Sequence, residues 1–541
     1  MRLSIFVLSL ALGCGTGCGS EGSGDGTGDS GAGGDGSGDA AATGGTTVGG
    51  NGGTSGASPT GGTGATSSEE CATARPPGAG ELTDALLMRN DAPVFRDLDA
   101  ACDGSALFVG TIHGAVQIVD SSGLETDVSE TLDVDEASPL FLTRIGANGS
   151  VLWNRVVRWG LTTSRVGPYV SAFMDGASAV AGSFGRFMRF AVGEPNETEI
   201  IGGRVGFVAR YDANGGFQWV RTIGTEDTLV RAVAAGFDGS THITAFMGFP
   251  GVLAPGELDL EIEGPNHVAI ATLDASGRFV HAIRMLGVDD DGATLRAMPD
   301  GQLAVIGDFD GSAVIGDDGP NSVTLSASGN AVADVRLTSS LSVASARALP
   351  LSIASKFSPV SDGSLLAAGI FFEMLTLGVG EPNETTLTNA DQEGTDGFVV
   401  RVGADALVGW VVQLAGMQGL SITTLEMASL PDGSTWLGAR TQTSDSRPAS
   451  VVIGFGSPTA TTVFLTEGED TVVARLSRDG RVEWAAPIVS DGVAMVDGVA
   501  PTPNSVWVAG TFTGTVSLAA EAATPFDAAT DPESFLVRFG P

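Results

Sequence analysis

The chain has 541 residues, with 64 acidic against 27 basic side chains, a net charge of −37 and a pI near 4.2. A surface of that sign repels phosphate, which argues against nucleic-acid binding; it favours solubility and draws cations. Lys356 is the single lysine and the other 26 basic residues are arginine, a skew expected of a GC-rich genome.

Arg2 and the apolar run Leu3 to Leu12 open the chain, and the small residues of ALGCGTGCG follow. About ten apolar residues are too few to span a bilayer as a mature helix. The segment resembles a bacterial lipoprotein signal, with Gly13 before Cys14. The resemblance implies a signal peptide over 1–13, removed at a lipidated Cys14. Cys18 in GTGC is the alternative lipid site, and plain secretion the alternative fate. With Cys14 lipidated, Cys71 and Cys102 could pair in a disulfide, leaving Cys18 over; two unpaired thiols are the alternative. Closing a loop of about 30 residues, the bridge would contribute roughly 3–4 kcal/mol in the chain-entropy model. From Gly15 to Glu70 the chain is Gly, Ser, Thr, Asp and Ala with seven acids, no bases and Val48 as the one larger aliphatic residue. Such a composition cannot bury enough apolar surface to offset ordering, so 14–78 is expected to be a disordered tether.

From residue 79 to 541 a phrase returns seven times: FLTRIGANGSVLW, FVARYDANGGFQW, IATLDASGRFVH, DVRLTSSLSVAS, FVVRVGADALVGW, VVARLSRDGRVEW and FLVRFGP. Its anchor falls at Arg144, Arg210, Thr272, Arg336, Arg401, Arg475 and Arg538. The gaps are 66, 62, 64, 65, 74 and 63 residues. Nine residues on come Trp153, Trp219, His281, Ser345, Trp410 and Trp484. A second phrase, such as CDGSALFVG, MDGASAVAG and PDGQLAVIG, precedes each anchor. Asp-Gly pairs between apolar runs are hairpin turns. Each period therefore predicts two hairpins and four antiparallel strands, a to d; in the second period these are Pro168–Met174, Ser178–Phe184, Gly206–Tyr211 and Phe217–Ile223. The fold class is all-β. The last phrase stops after strand c, and a spare run, DALLMRND (Asp84–Asp91), precedes the first period. That run is expected to supply the missing strand d and latch the ring.

GFVARYDANGGFQW and SVWVAGTF resemble the bacterial repeats named after seven-bladed β-propellers, and more loosely NHL-type propellers. The third and fourth copies depart, with Thr272 for Arg and no Trp in either. The resemblance spans nearly all of 79–541. It implies a seven-bladed β-propeller of four-stranded antiparallel sheets on a surface lipoprotein, and no particular chemistry.

One Trp and one Arg per period suit structural work: a large ring filling the wedge between sheets, and a guanidinium held by an Asp or carbonyl of the hairpin. GDFDGS places Asp308 and Asp310 in a calcium-like spacing, yet the same frame elsewhere, GSFGRF and GTFTGT, has no acids; no metal is assigned. His113, His242, His267 and His281 are scattered, and there is no G-x-S-x-G, P-loop or HExxH, so neither catalytic residues nor a cofactor are assigned. GEPNET occurs twice, at Gly193–Thr198 and Gly380–Thr385, between strands b and c. Alternating hairpins put b–c connections on one face and tight turns on the other, so Glu194, Asn196, Glu197, Glu381, Asn383 and Glu384 are the candidate binding-loop residues; a Pro-Asn turn copied by duplication is the plainer account. The function expected is a non-enzymatic binding or interaction scaffold, a monomer at the outer membrane or cell surface. Its partner would be a protein or glycan, and membrane contact would be through the lipid alone. The alternatives are a central-funnel enzyme (glycan lyase, hydrolase or quinone-dependent oxidoreductase) and a structural surface-layer component. Replacing Cys14 with Ser should abolish incorporation of a fatty-acid analogue in cells. Labelling that persists moves the site to Cys18, and an unlabelled wild type removes the anchor.

Overall fold

Two tight turns per period fold the chain back on itself, and in the computed structural model each period is an antiparallel four-stranded sheet. The structure describes residues 81–540 apart from 90–93, 112–115, 120–124, 128–138, 161–166, 226, 263–266, 290–293, 317–320, 444–448, 466–468, 503–504 and 519–525. The signal peptide, Cys14, Cys18, the tether and Cys71 lie outside the described residues. No α-helix occurs among the described residues. The second sheet runs Tyr169–Ala172, Ser178–Phe184, Val205–Tyr211 and Phe217–Ile223, within a few residues of the sequence expectation. Strands b and c are sandwiched on both faces, so runs such as Ala106–Thr111, Leu140–Ile145 and Asp396–Val402 are buried at every position. Strands a and d alternate more.

The innermost strands meet in a closed circle. Taken in chain order they are Val94–Ala100, Tyr169–Ala172, Thr228–Ala235, Thr294–Ala297, Ala354–Pro359, Leu420–Ser429 and Val493–Pro501. Each touches the next, and the last touches the first. This is a β-propeller. Its core lies between sheets rather than within one. Leu107 and Trp153 of the first sheet, for example, pack in one apolar cluster with Val180 and Phe207 of the second.

The repeated arginine ties sheet to sheet. Arg144 donates to Asp103 Oδ2 at 3.1 Å and Ser105 Oγ at 3.1 Å in its own sheet, and to the carbonyl of Gly176 in the next. Arg210 repeats this with Asp175 (3.8 Å) and the Gly239 carbonyl (2.6 Å), and Arg401 with Asp362 (2.5 Å) and the Gly433 carbonyl (3.5 Å). Where Thr272 replaces the arginine, His242 from strand b fills the space, with Nδ1 2.9 Å from Thr272 Oγ1 and Nε2 2.9 Å from Ser240 Oγ. The tryptophans are the second tie. Trp153, Trp219 and Trp410 donate to the carbonyls of Ala213, Ala275 and Arg478 at 2.9–3.0 Å, in the c–d turns of following sheets. Gly215 in such a turn has φ +76°, and a Cβ there would stand 2.7 Å from the Trp153 ring; the glycine is needed for both reasons.

The long b–c connections do not stand on one face as loops. Most are hairpins that double back along the rim onto strand d of the preceding sheet. Phe187–Phe190 pairs with Thr198–Ile201, and Met188 faces Trp159 of the first sheet. Ser450–Ile453 does the same against Leu414–Met417.

The ring closes as the sequence implies. Asp84–Met88 pairs antiparallel with Ser534–Arg538, and Arg538 also lies 3.6 Å from Asp84. Two further bonds join the last sheet to the first: Trp507 donates to the Gly104 carbonyl at 2.9 Å and Arg538 to the Ala147 carbonyl. Deleting residues 79–92 strips the edge strand from Ser534–Arg538. The variant should associate through that bare edge and melt well below wild type. A monomer with an unchanged melting transition in calorimetry and sedimentation would contradict this account of closure.

Candidate functional site

Side chains of the inner strands point alternately at the neighbouring sheet and at the central tunnel. The pairing register with strand b shows which ones share a level. One level holds Asp99, Ser171, Ala234, Arg296, Ser358, Ala428 and Ala500. Two residues earlier on each strand lies a second level: Asp97, Tyr169, Ala232, Thr294, Lys356, Glu426 and Gly498. Just before the second level, four inner strands carry a β-bulge whose extra residue is Arg96, Arg231, Ser355 or Asp497, and the sixth carries one three residues before it, at Thr423. Bulges interrupt pairing and re-aim side chains, and they gather at functional sites.

A cavity of about 420 Å³ opens where the inner strands run into the Asp-Gly turns. Its walls are apolar, with Met174, Phe237, Pro299, Pro359, Pro431 and Pro501 among them. Its floor is the first level. Arg296 reaches across that floor, donating to Ser358 Oγ (3.1 Å), Ser429 Oγ (3.1 Å) and the Ser429 carbonyl (2.8 Å). Asp99 faces it electrostatically and accepts from Ala172 N (2.8 Å), Ala100 N (2.8 Å) and Ser171 Oγ (3.0 Å). The floor thus carries two hydrogen-bonded sets, one centred on Arg296 and joining the fourth, fifth and sixth sheets, the other centred on Asp99 and Ser171 and joining the first three. Burial lowers the pKa of Arg296, opposed by Asp99, and burial raises that of Asp99 against its three hydrogen bonds.

Beyond the floor lies the second level. Lys356 Nζ is 2.8 Å from Glu426 Oε1. Asp97 accepts from Val170 N (2.8 Å) and Leu98 N (2.9 Å). Burial pushes Asp97 up to about 7, its two N–H donors opposing and Asp99 and Glu426 adding to the rise. Burial, then Glu426, lifts Asp497 to about 6. Glu426 is also raised by burial, with Lys356 offsetting it. Sequence inspection assigns nothing to these residues, because each is a lone polar residue in a short strand.

The residues singled out from sequence lie elsewhere. Both GEPNET segments form hairpin tips on the rim, clasped to the first residue of their own sheet's strand d. Asn196 Nδ2 donates to the Phe217 carbonyl (2.8 Å) and Asn383 Nδ2 to the Val408 carbonyl (2.9 Å). Glu381 accepts from Val408 N (2.7 Å), while Glu197 and Glu384 accept from Gly193 N (2.8 Å) and Gly380 N (2.7 Å). Glu194 is exposed. The tips therefore reach the end of the sheet served by the tight turns, because the hairpins fold back. Glu257 makes the same clasp to Phe279 N at 2.8 Å without the GEPNET wording. Asp308 is half-buried and lifted to about 6 by burial and Asp289, and Asp310 is exposed on the same strand. No group of three or more His, Cys, Asp or Glu side chains able to hold a metal ion occurs among the described residues. Cys102 lines the cavity and is disulfide-bonded; its partner lies outside the described residues.

No protein-family model matches the sequence, and none of the curated proteins does. Solved structures that share the architecture include the Dos1 propeller, 8% identical over 84% of this chain and 93% of that one, with a TM-score of 0.34. A calcium-binding protein, regucalcin, from Agrobacterium tumefaciens is 11% identical over 54% and 86%, with a TM-score of 0.20. The dihydro-heme d1 dehydrogenase NirN is 11% identical over 76% and 82%, with a TM-score of 0.24. Strand pairing and the closed circle of inner strands carry the fold assignment for this chain.

The raised pKa of Asp97 has a consequence for stability. Between pH 4 and 7 the native state holds a proton on Asp97 that the unfolded chain has released, so this group's contribution to stability falls as pH rises through that window. His242, pushed down to about 4 by burial, acts in the opposite sense between pH 4 and 6.5. Comparing variant with wild type isolates Asp97. The melting temperature of Asp97→Asn minus that of wild type should increase from pH 4 to pH 7 and then level off. A difference independent of pH would show that Asp97 titrates normally.

Proposed function

We propose that the chain is an exported, lipid-anchored, seven-bladed β-propeller that acts as a non-enzymatic binding module at the cell surface, with a protein or glycan partner. The observation that carries the reading is the turn-side cavity, with its apolar walls and its floor of groups already tied to one another. A site of that build offers shape, contact area and a few fixed polar groups to a ligand. The GEPNET side chains are largely committed to backbone partners, which moves the binding role from the rim tips to the tunnel. A Cys71–Cys102 bridge fits the reading: Cys102 is already a disulfide cysteine at the cavity wall. The bridge would fasten the tether beside the mouth.

A propeller enzyme is the second reading. The raised carboxylates Asp97, Glu426 and Asp497 in one tunnel favour it, since groups poised near neutral pH serve proton transfer.

Glycan and peptide arrays probed with wild type, with Phe237→Glu and with both GEPNET segments replaced by Gly-Ser decide the matter. Phe237→Glu puts a charge at the cavity mouth and should abolish binding, whereas the rim replacements should leave it intact while lowering stability by roughly 0.5–1.5 kcal/mol for each clasping hydrogen bond removed. Binding lost on the rim and kept in Phe237→Glu would overturn the tunnel assignment. Turnover of an array glycan would favour the enzyme.

A further inference from the structure

The two polar sets on the floor of the turn-side cavity do not touch. Arg296 comes from the fourth sheet and Asp99 from the first, on opposite sides of the circle of inner strands. Asp99 acts on Arg296 through space, yet among the described residues no hydrogen bond or ion pair joins them. On the same level Ala234, Ala428 and Ala500 carry only methyl groups, and all five residues line the cavity. The space between the two sets is therefore open.

Each side of that space keeps hydrogen-bonding capacity in hand. Arg296 makes three bonds, all from Nη1 and Nη2, to Ser358 and Ser429. A guanidinium has five N–H donors, so its Nε–H and one Nη2–H have no acceptor among the described residues. Asp99 Oδ2 accepts from Ala172 N and Ser171 Oγ, but Oδ1 accepts from Ala100 N alone. Donors and acceptors withdrawn from bulk water favour a ligand that pairs them. Charge narrows the choice. Asp238 and Asp300, beside Phe237 and Pro299 at the mouth, are exposed and paired with no arginine or lysine among the described residues. They and the net charge of −37 disfavour an anion, and a cation would meet the Arg296 guanidinium. A neutral amide meets both sides: in the trans form its C=O and N–H point in opposite directions. The cavity also ends at this level, since of the next level down only Thr294 lines it. It takes the end of a chain rather than a chain running through. The free ends of a peptide are charged, whereas the non-reducing end of an N-acetylated glycan is neutral and carries an amide.

We infer that the turn-side cavity selects the terminal N-acetylhexosamine of a glycan, its acetamido C=O accepting from Arg296 and its N–H donating to Asp99, with the apolar face of the sugar ring against the cavity wall. The inference rests on the cavity being the binding site and adds what that site recognises. A cavity of about 420 Å³ lies within the range of about 300–1,000 Å³ usual for small ligands.

The full chain is titrated by calorimetry with diacetylchitobiose and with three controls. Cellobiose carries hydroxyls in place of the acetamido groups, deacetylated chitobiose carries ammonium groups, and acetyl-alanyl-alanine methylamide is a neutral peptide. Diacetylchitobiose should bind saturably and the controls at least about tenfold more weakly. Arg296→Lys keeps the charge and loses the forked donors; it should weaken diacetylchitobiose by about tenfold and leave the weak binding of cellobiose unchanged. The sugar comparison needs no variant, so it decides even where Arg296→Lys fails to fold. Phe237→Glu should abolish binding of diacetylchitobiose. No saturable binding of diacetylchitobiose, or equal binding of any control, overturns the inference; array binding that Phe237→Glu still abolishes then leaves the cavity reading in place. Diacetylchitobiose bound equally by Phe237→Glu overturns both.

Discussion

A guanidinium that grips the Asp-Gly turn of its own sheet and a turn carbonyl of the next is the contact on which the ring depends. Turn carbonyls wedged between two sheets have lost water and need donors. Arginine brings five donors in a rigid fork, so one side chain can serve two sheets at once. The third sheet shows that the need lies in the wedge and not in the residue. There Thr272 cannot reach, and a neutral buried His242 fills the gap with hydrogen bonds to Ser240 and Thr272. The tryptophans act beside this grip. Trp153, Trp219 and Trp410 each spread a ring over a turn glycine of a following sheet and spend their one N–H on a turn carbonyl.

Closing sheets into a circle also leaves a gap to be managed at the rim, where neighbouring sheets diverge. Hairpins folded back from the b–c connections fill that gap. Phe190 illustrates the gain: it stacks on Phe217 at 5.4 Å and packs against Phe207 at 5.9 Å, fully buried. Burying an aromatic ring of this kind is worth roughly 1.5–3 kcal/mol. The rim hairpins therefore behave as mortar between sheets, which explains why two of their tips can share the same six residues without sharing a ligand.

Much of this is written locally. Asp-Gly turns, the arginine anchor and the tryptophan nine residues later are short-range signals, so the sheets and their order can be read directly. The spare strand at Asp84–Asp91 could be read too, because the last phrase lacked its fourth strand. The tunnel could not. Asp97, Tyr169, Lys356 and Glu426 share a level only through the pairing register of four different sheets, and nothing in the order of residues marks them as neighbours. The bulges that re-aim Arg231 and Asp497 have no sequence signature of their own. The fold-back of the rim hairpins was hidden for a similar reason. A b–c connection of given length can stand up as a loop or lie down along a strand, and packing decides which.

The latch has a bearing on how the molecule comes to be made. Thr83 donates to the carbonyl of Arg538 across 455 positions of chain, and the whole final sheet waits on that meeting. Sheets in the middle can form as soon as their own period has emerged, while Asp84–Met88 must stay without this partner until Ser534–Arg538 arrives. A chain cut short upstream of Ser534 would keep its early strand without a mate and its ring without a seam. The final sheet thus registers whether the ring has closed: in the closed ring Ser534–Arg538 is paired on both sides, and a chain truncated before it leaves Asp84–Met88 open to proteases and to other chains.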